Sequence, residues 1–94
     1  MVKISWSILA AVDLEEIEEF ISSDSPTYAA QTIEKIYSRT FVLQKFPRAG
    51  RIVPEFGVPS VRELMEGNYR IVYWLKSADE IIVLRVHHSA RLLE

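Results

Sequence analysis

Two apolar, β-prone runs near the C-terminal end constrain this chain most: Tyr69–Leu75 and Ile81–His88. Each reads as a strand, and the short polar interval between them reads as a hairpin turn. Each run also carries an arginine inside it. If the hairpin closes symmetrically through Lys76–Asp79, Leu75 faces Glu80 and Arg70 faces Arg85. Like charges directly opposite on neighbouring strands destabilise a sheet. The expected use of such a pair is to hold an anion.

The chain has 94 residues, the size of one small domain spanning 1–94. A hydrophobic content of 49% excludes a disordered chain. No stretch has the length of a membrane span and no signal-peptide pattern opens the sequence, so a cytoplasmic protein without a membrane partner is expected. The absence of cysteine excludes disulfides, thiolate chemistry and cysteine-based zinc sites. No metal or cofactor is implied. The net charge of −2 conceals an asymmetry: residues 1–34 carry −6 and residues 35–94 carry +4. The basic part is suited to an anionic partner.

Val2, Ile4 and Trp6 alternate with Lys3 and Ser5, the pattern of a short strand. Ser7 is an N-cap for a helix through about Ser22, with Ala10, Leu14, Ile17 and Ile21 as its buried stripe and Phe20 widening it. The acids from Asp13 to Glu19 read as a solvated face. Ser25-Pro26 starts a second helix through about Lys45, with Ala29, Ile33, Ile36, Thr40 and Leu43 on its stripe. Prolines and glycines make 46–59 an extended connection. Val61–Glu66 is a strand, and Gly67-Asn68 is a hairpin turn. The order is β-α-α-β-β-β: an α+β fold with an N-terminal helical hairpin covering one face of an antiparallel sheet.

Alternation along the strands assigns the faces. Tyr69, Ile71, Tyr73 and Leu75 with Ile82, Leu84 and Val86 form the face under the helices. The other face takes Arg70, Val72 and Trp74 with Ile81, Val83, Arg85 and His87, apolar near the turn and cationic at the far end. Glu63 lies beside Val72, one diagonal step from Arg70. Two readings follow. In one, Arg70 and Arg85 are solvated or paired with Glu63 and other carboxylates. In the other, Arg70, Arg85, His87, His88 and Arg91 form a concave anion site, with arginine forks for phosphate or carboxylate and a histidine for proton transfer. Parity puts His87 with the arginines, and a bulge near the strand end would turn His88 toward them instead. Adjacent histidines on a strand point to opposite faces and are not a metal pair.

Trp6, Asp13-Leu14-Glu15-Glu16-Ile17, Ser25-Pro26, Phe46-Pro47, Gly50-Arg51, Val53-Pro54-Glu55, Arg62-Glu63-Leu64, Tyr69–Tyr73 and Leu84–Arg91 come in a characteristic order. Together they resemble the RelE/ParE superfamily of toxins from bacterial type II toxin–antitoxin (plasmid stabilisation) modules. The resemblance implies growth inhibition and a cognate antitoxin, for which Val72, Trp74, Ile81 and Val83 offer a docking surface and the groove along the helices another. RelE-like members are ribosome-dependent mRNA endonucleases, which would make Arg70, Arg85, His87, His88 and Arg91 the catalytic candidates. ParE-like members poison DNA gyrase. The tail lacks the RelE-type tyrosine and Val61–Glu66 lacks its lysines, so the ParE-like side is nearer. Target or anion binding would then fall to Arg48, Arg51, Arg62, Arg70, Arg85 and Arg91. A non-toxic anion-binding or interaction module is the alternative from another class.

Overall fold

The computed structural model describes residues 1–90. Its elements are β1 (Lys3–Trp6), α1 (Ile8–Ser22), α2 (Pro26–Arg39), β2 (Arg51–Ile52), β3 (Val61–Glu66), β4 (Tyr69–Ser77) and β5 (Glu80–His88). They build one five-stranded sheet in the order β1-β5-β4-β3-β2, with the helices on one face. The expected α+β arrangement is present, with two additions. The N-terminal strand joins the sheet parallel to β5, and a two-residue strand extends the other edge.

Local chemistry sets both helix starts. The Ser7 hydroxyl accepts from the Ala10 N–H at 3.0 Å, and Ser25 accepts from Tyr28 at 3.1 Å with Pro26 in the first turn. Each satisfies a backbone donor that the helix itself leaves unpaired. The stripes Ala10-Leu14-Ile17 and Ile36-Leu43 meet the sheet residues Leu64, Ile71 and Tyr73 in the main core. The second helix ends at Arg39, earlier than expected, and tightens into a 3₁₀ turn over Thr40–Gln44. Phe20 does not widen the buried stripe. It stands 79% exposed.

The register of the β4–β5 hairpin corrects the opening expectation. Arg70 pairs with His87, and Arg85 pairs with Val72. Strands β4 and β5 run closer to the turn than a symmetric Lys76–Asp79 loop allows, so Ser77 faces Glu80. Register shifts then occur between Leu75 and Ser77 and between Val72 and Tyr73. A bulge adds an unpaired residue to one strand and reverses which side chains face the core beyond it. Ile81 and Val83, expected outside, are therefore fully buried beneath the helices, in place of Ile82 and Leu84.

Side chains from the N-terminal segment satisfy the irregular stretch of β5. β1 pairs with β5 only as far as Val83. Just beyond, the Ser7 hydroxyl donates to the Leu84 carbonyl at 2.8 Å, and the Asp13 carboxylate accepts from the Val86 N–H at 2.9 Å. Asp13 thus occupies the place of a missing neighbouring strand. It is buried rather than part of the solvated acidic face.

The other sheet face is covered as well. The 46–60 segment folds back over it, and Val53 buries completely against Val72 and Val61. Gly50 makes this route possible. A Cβ there would collide with the Glu63 carbonyl oxygen and lie 2.7 Å from the Tyr73 hydroxyl.

Candidate functional site

The structure divides the sequence's arginine set into two groups of opposite character. Arg70 is the first kind. It is 5% exposed, and its Nε donates to Glu63 Oε1 at 2.6 Å. Its two terminal nitrogens grip Glu55 at 2.7 and 2.8 Å. Glu63, also buried, takes a further 2.6 Å bond from Arg51 Nε through its second oxygen. The hydrogen bonds to Glu55, with those to Glu63, raise the Arg70 pKa further against the opposing effect of burial, so it is a fixed cation. Arg51, Glu63, Arg70 and Glu55 form one charge-balanced chain. It ties the loop carrying Glu55 to the sheet.

Arg85 is held separately. Its Nε and Nη2 donate to the two oxygens of Asp13 at 2.9 and 3.1 Å. Burial alone would raise the Asp13 pKa. The Arg85 hydrogen bonds, the Val86 N–H and the charges of Arg85 and His87 outweigh it, and the carboxyl lies below its ordinary value. The sign for stability follows. A depressed carboxylate stabilises the fold above its unfolded pKa of about 3.9, and this contribution disappears as pH falls through the lower folded value. Asp13→Asn should therefore lower the melting temperature at neutral pH. Its deficit against wild type should narrow below about pH 4, as thermal melts across an acid series would show. A constant deficit across the series would refute the linkage.

Each of these two arginines is held by carboxylates, Arg70 by Glu55 and Glu63 and Arg85 by Asp13. Among the histidines, His87 is the cross-strand partner of Arg70, as parity required. No register shift separates Arg85 from His88, so no bulge at the strand end brings His88 round. His88 pairs with Tyr69, its ring edge-on at 5.7 Å, and its Nδ1 accepts from the Ala90 N–H at 3.2 Å. Arg91 lies outside the described residues. Of the four residues expected to dock an antitoxin, Ile81 and Val83 are core, and Val72 is covered by the 46–60 segment. Trp74, 36% exposed, is the one at the surface.

The second group lies along the β2–β3 edge. Arg62 donates from Nε to the Pro59 carbonyl at 3.0 Å and from Nη1 to the Gly50 carbonyl at 3.0 Å. Arg39, at the end of α2, donates to the Met65 carbonyl at 3.1 Å, where β3 has run past the end of β2. Arg48 is exposed beside them, and Arg51 projects from β2 with 64% of its side chain exposed. The Tyr73 phenol marks where three of them converge. Burial raises its pKa, while the Gly50 N–H and the charges of Arg62, Arg39 and Arg48 oppose that rise. Arg48, Arg51 and Arg62 were expected to bind an anion. Arg39 was missed, and its position in the last turn of a helix offered only a helix-dipole reading.

Among the described residues, no group of three or more His, Cys, Asp or Glu side chains could hold a metal ion, and no helix is long and apolar enough to cross a membrane.

Residues 4–93 match the family described as the ParE toxin of the type II toxin–antitoxin system, parDE. A curated relative, "Putative toxin Y4kP" of Sinorhizobium fredii, is 26% identical over 87 residues, covering 93% of this chain and 88% of its own. Among solved structures, a chain of the chromosomal ParDE TA system from P. aeruginosa superposes with a TM-score of 0.77 at 26% identity, covering 94% of this chain and 96% of that one. The YoeB/ParE toxin from Agrobacterium tumefaciens shares the fold, with a TM-score of 0.64 at 18% identity over 93% of this chain and 98% of that one. So does a chain of the Mycobacterium tuberculosis toxin–antitoxin complex RelBE2, at 0.61 and 20% over 93% and 96%.

Proposed function

The chain belongs to the ParE toxin family of type II toxin–antitoxin systems, and on that premise we propose that it arrests growth by acting on DNA gyrase and is neutralised by a cognate antitoxin. The observation that carries the choice of target is the engagement of Arg70 and Arg85 by carboxylates. Metal-free RNA cleavage needs cations aimed at the charge that develops on the phosphorus centre, and a base for the attacking hydroxyl. Arg70 is spent on Glu55 and Glu63, and Arg85 on Asp13. The arrangement that remains favours a protein that binds over one that cuts. An antitoxin partner is supported by similar chains from a ParDE TA system and from a toxin–antitoxin complex.

The test is a reconstituted supercoiling reaction with purified gyrase, plasmid and the full chain. The expected result is accumulation of cleaved plasmid that remains attached to gyrase, while transcripts in arrested cells stay intact. Codon-linked cuts in ribosome-bound mRNA, with normal supercoiling, would overturn the reading in favour of the RelE-like one.

A further inference from the structure

We infer that the β2–β3 edge is a docking surface for the phosphate backbone of duplex DNA, engaged through Arg39, Arg48 and Arg62. The inference rests on the gyrase reading and adds to it a direct contact with the DNA. Nothing in that reading requires the toxin itself to touch DNA.

Charge is the first ground. Among the described residues, Arg39, Arg48 and Arg62 have no carboxylate within ion-pair distance. Arg39 and Arg62 are held by backbone carbonyls, which fix a guanidinium without cancelling its charge. Of the nearby acids, Glu55 and Glu63 are turned inward on Arg70, while Glu66 stands on β3 beside Met65. Arg51 is largely exposed but paired with Glu63, so it adds no net charge. Arg39, Arg48 and Arg62 leave the edge net positive on a chain whose overall charge is −2.

Spacing is the second ground. Arg62 lies on β3, Arg51 faces Glu63, and Arg39 meets the strand at Met65. At about 3.3 Å per residue, these anchor points span roughly 10 Å along the strand. A stretch of this length reaches neighbouring phosphates of one strand of a duplex. Arginine forks suit such oxygens because they donate two parallel hydrogen bonds. Binders of single strands add exposed aromatic faces for base stacking. Tyr73 is fully buried, whereas Phe46, two residues from Arg48, is 63% exposed. The duplex is the partner the gyrase reading supplies, and a single strand is the outcome the experiment tests against.

The experiment is fluorescence anisotropy of a labelled duplex of about 20 base pairs with the full chain, over a salt series and without gyrase. Affinity should fall with salt on a log–log slope of about −3. Arg48→Gln, at a side chain with no hydrogen bond or ion pair among the described residues, should weaken binding about three- to tenfold and flatten the slope by about one. Arg39→Gln should do likewise. Lys3→Gln, the same charge change on the opposite sheet edge, should leave affinity unchanged. A Lys3→Gln loss equal to that of Arg48→Gln, tighter binding of a single-stranded RNA of equal length, or full displacement by polyglutamate at matched charge would each overturn the inference. Because gyrase is absent, failure in this assay leaves the gyrase reading standing. A duplex complex without gyrase cleavage would defeat that reading alone.

Discussion

Glu63→Ala is expected to cost about 3–5 kcal/mol, the range for breaking a buried ion pair from one side. The Glu63 side chain has no exposure and bonds two arginines. Its removal takes the carboxylate from the Nε of Arg70, itself 5% exposed, and leaves the bonds to Glu55, which sits on a loop. Breaking a buried pair from one side is worse than a well-packed apolar replacement for the whole pair. Against a total stability of about 5–15 kcal/mol, such a change brings a small domain close to unfolding. Urea denaturation of the variant should show a sharply lowered midpoint. A double variant, Glu63→Leu with Arg70→Met, should recover part of the loss. A single variant with wild-type stability would show that the four-residue chain of charges contributes little.

Gly50→Ala is expected to destabilise by about 2–3 kcal/mol, at the upper end of overpacking effects. The added methyl meets the Glu63 backbone carbonyl and the Tyr73 hydroxyl, which lies 2.7 Å away. Neither is a flexible tip. The first is sheet backbone. The second is held by the Gly50 N–H and by the Pro47 carbonyl, both at 2.9 Å. Relief would require the 46–60 segment to lift off the sheet, carrying Val53 out of its contact with Val72. Thermal melts would measure the loss, and hydrogen exchange at the Val53 amide, which donates to the Val61 carbonyl, would locate it. Retained protection there would count against the mechanism.

The local rules were legible in the sequence. Both serine caps, the proline start of α2, the Gly67-Asn68 turn and the β3–β4 register can be read from neighbouring residues alone. The Glu63–Arg70 pair followed from that register. What could not be read were the features that depend on distant chain. A bulge has no compositional mark, yet two of them exchanged Ile82 for Ile81 in the core, while a tighter turn moved Arg70 from Arg85 to His87. Glu55 reaches Arg70 only because a proline-rich segment folds back on the sheet. Asp13 did leave a signal. It falls three residues after Ala10 and four before Ile17, on the flank of the buried stripe rather than on the acidic face. An acid there needs a cation, and Arg85 is the one it finds.

The parallel pairing of β1 with β5 has a consequence for how the protein is made. Lys3 pairs with Glu80 and Trp6 with Val83, so the first strand waits for the last. At about 5–20 residues per second, a ribosome takes roughly 4–15 s to travel between them. During that interval Ser7 and Asp13 have none of their β5 partners. The sheet closes only when β5 has been translated. A truncated nascent chain is consequently an incomplete sheet, and the timing of synthesis itself delays the appearance of a folded toxin.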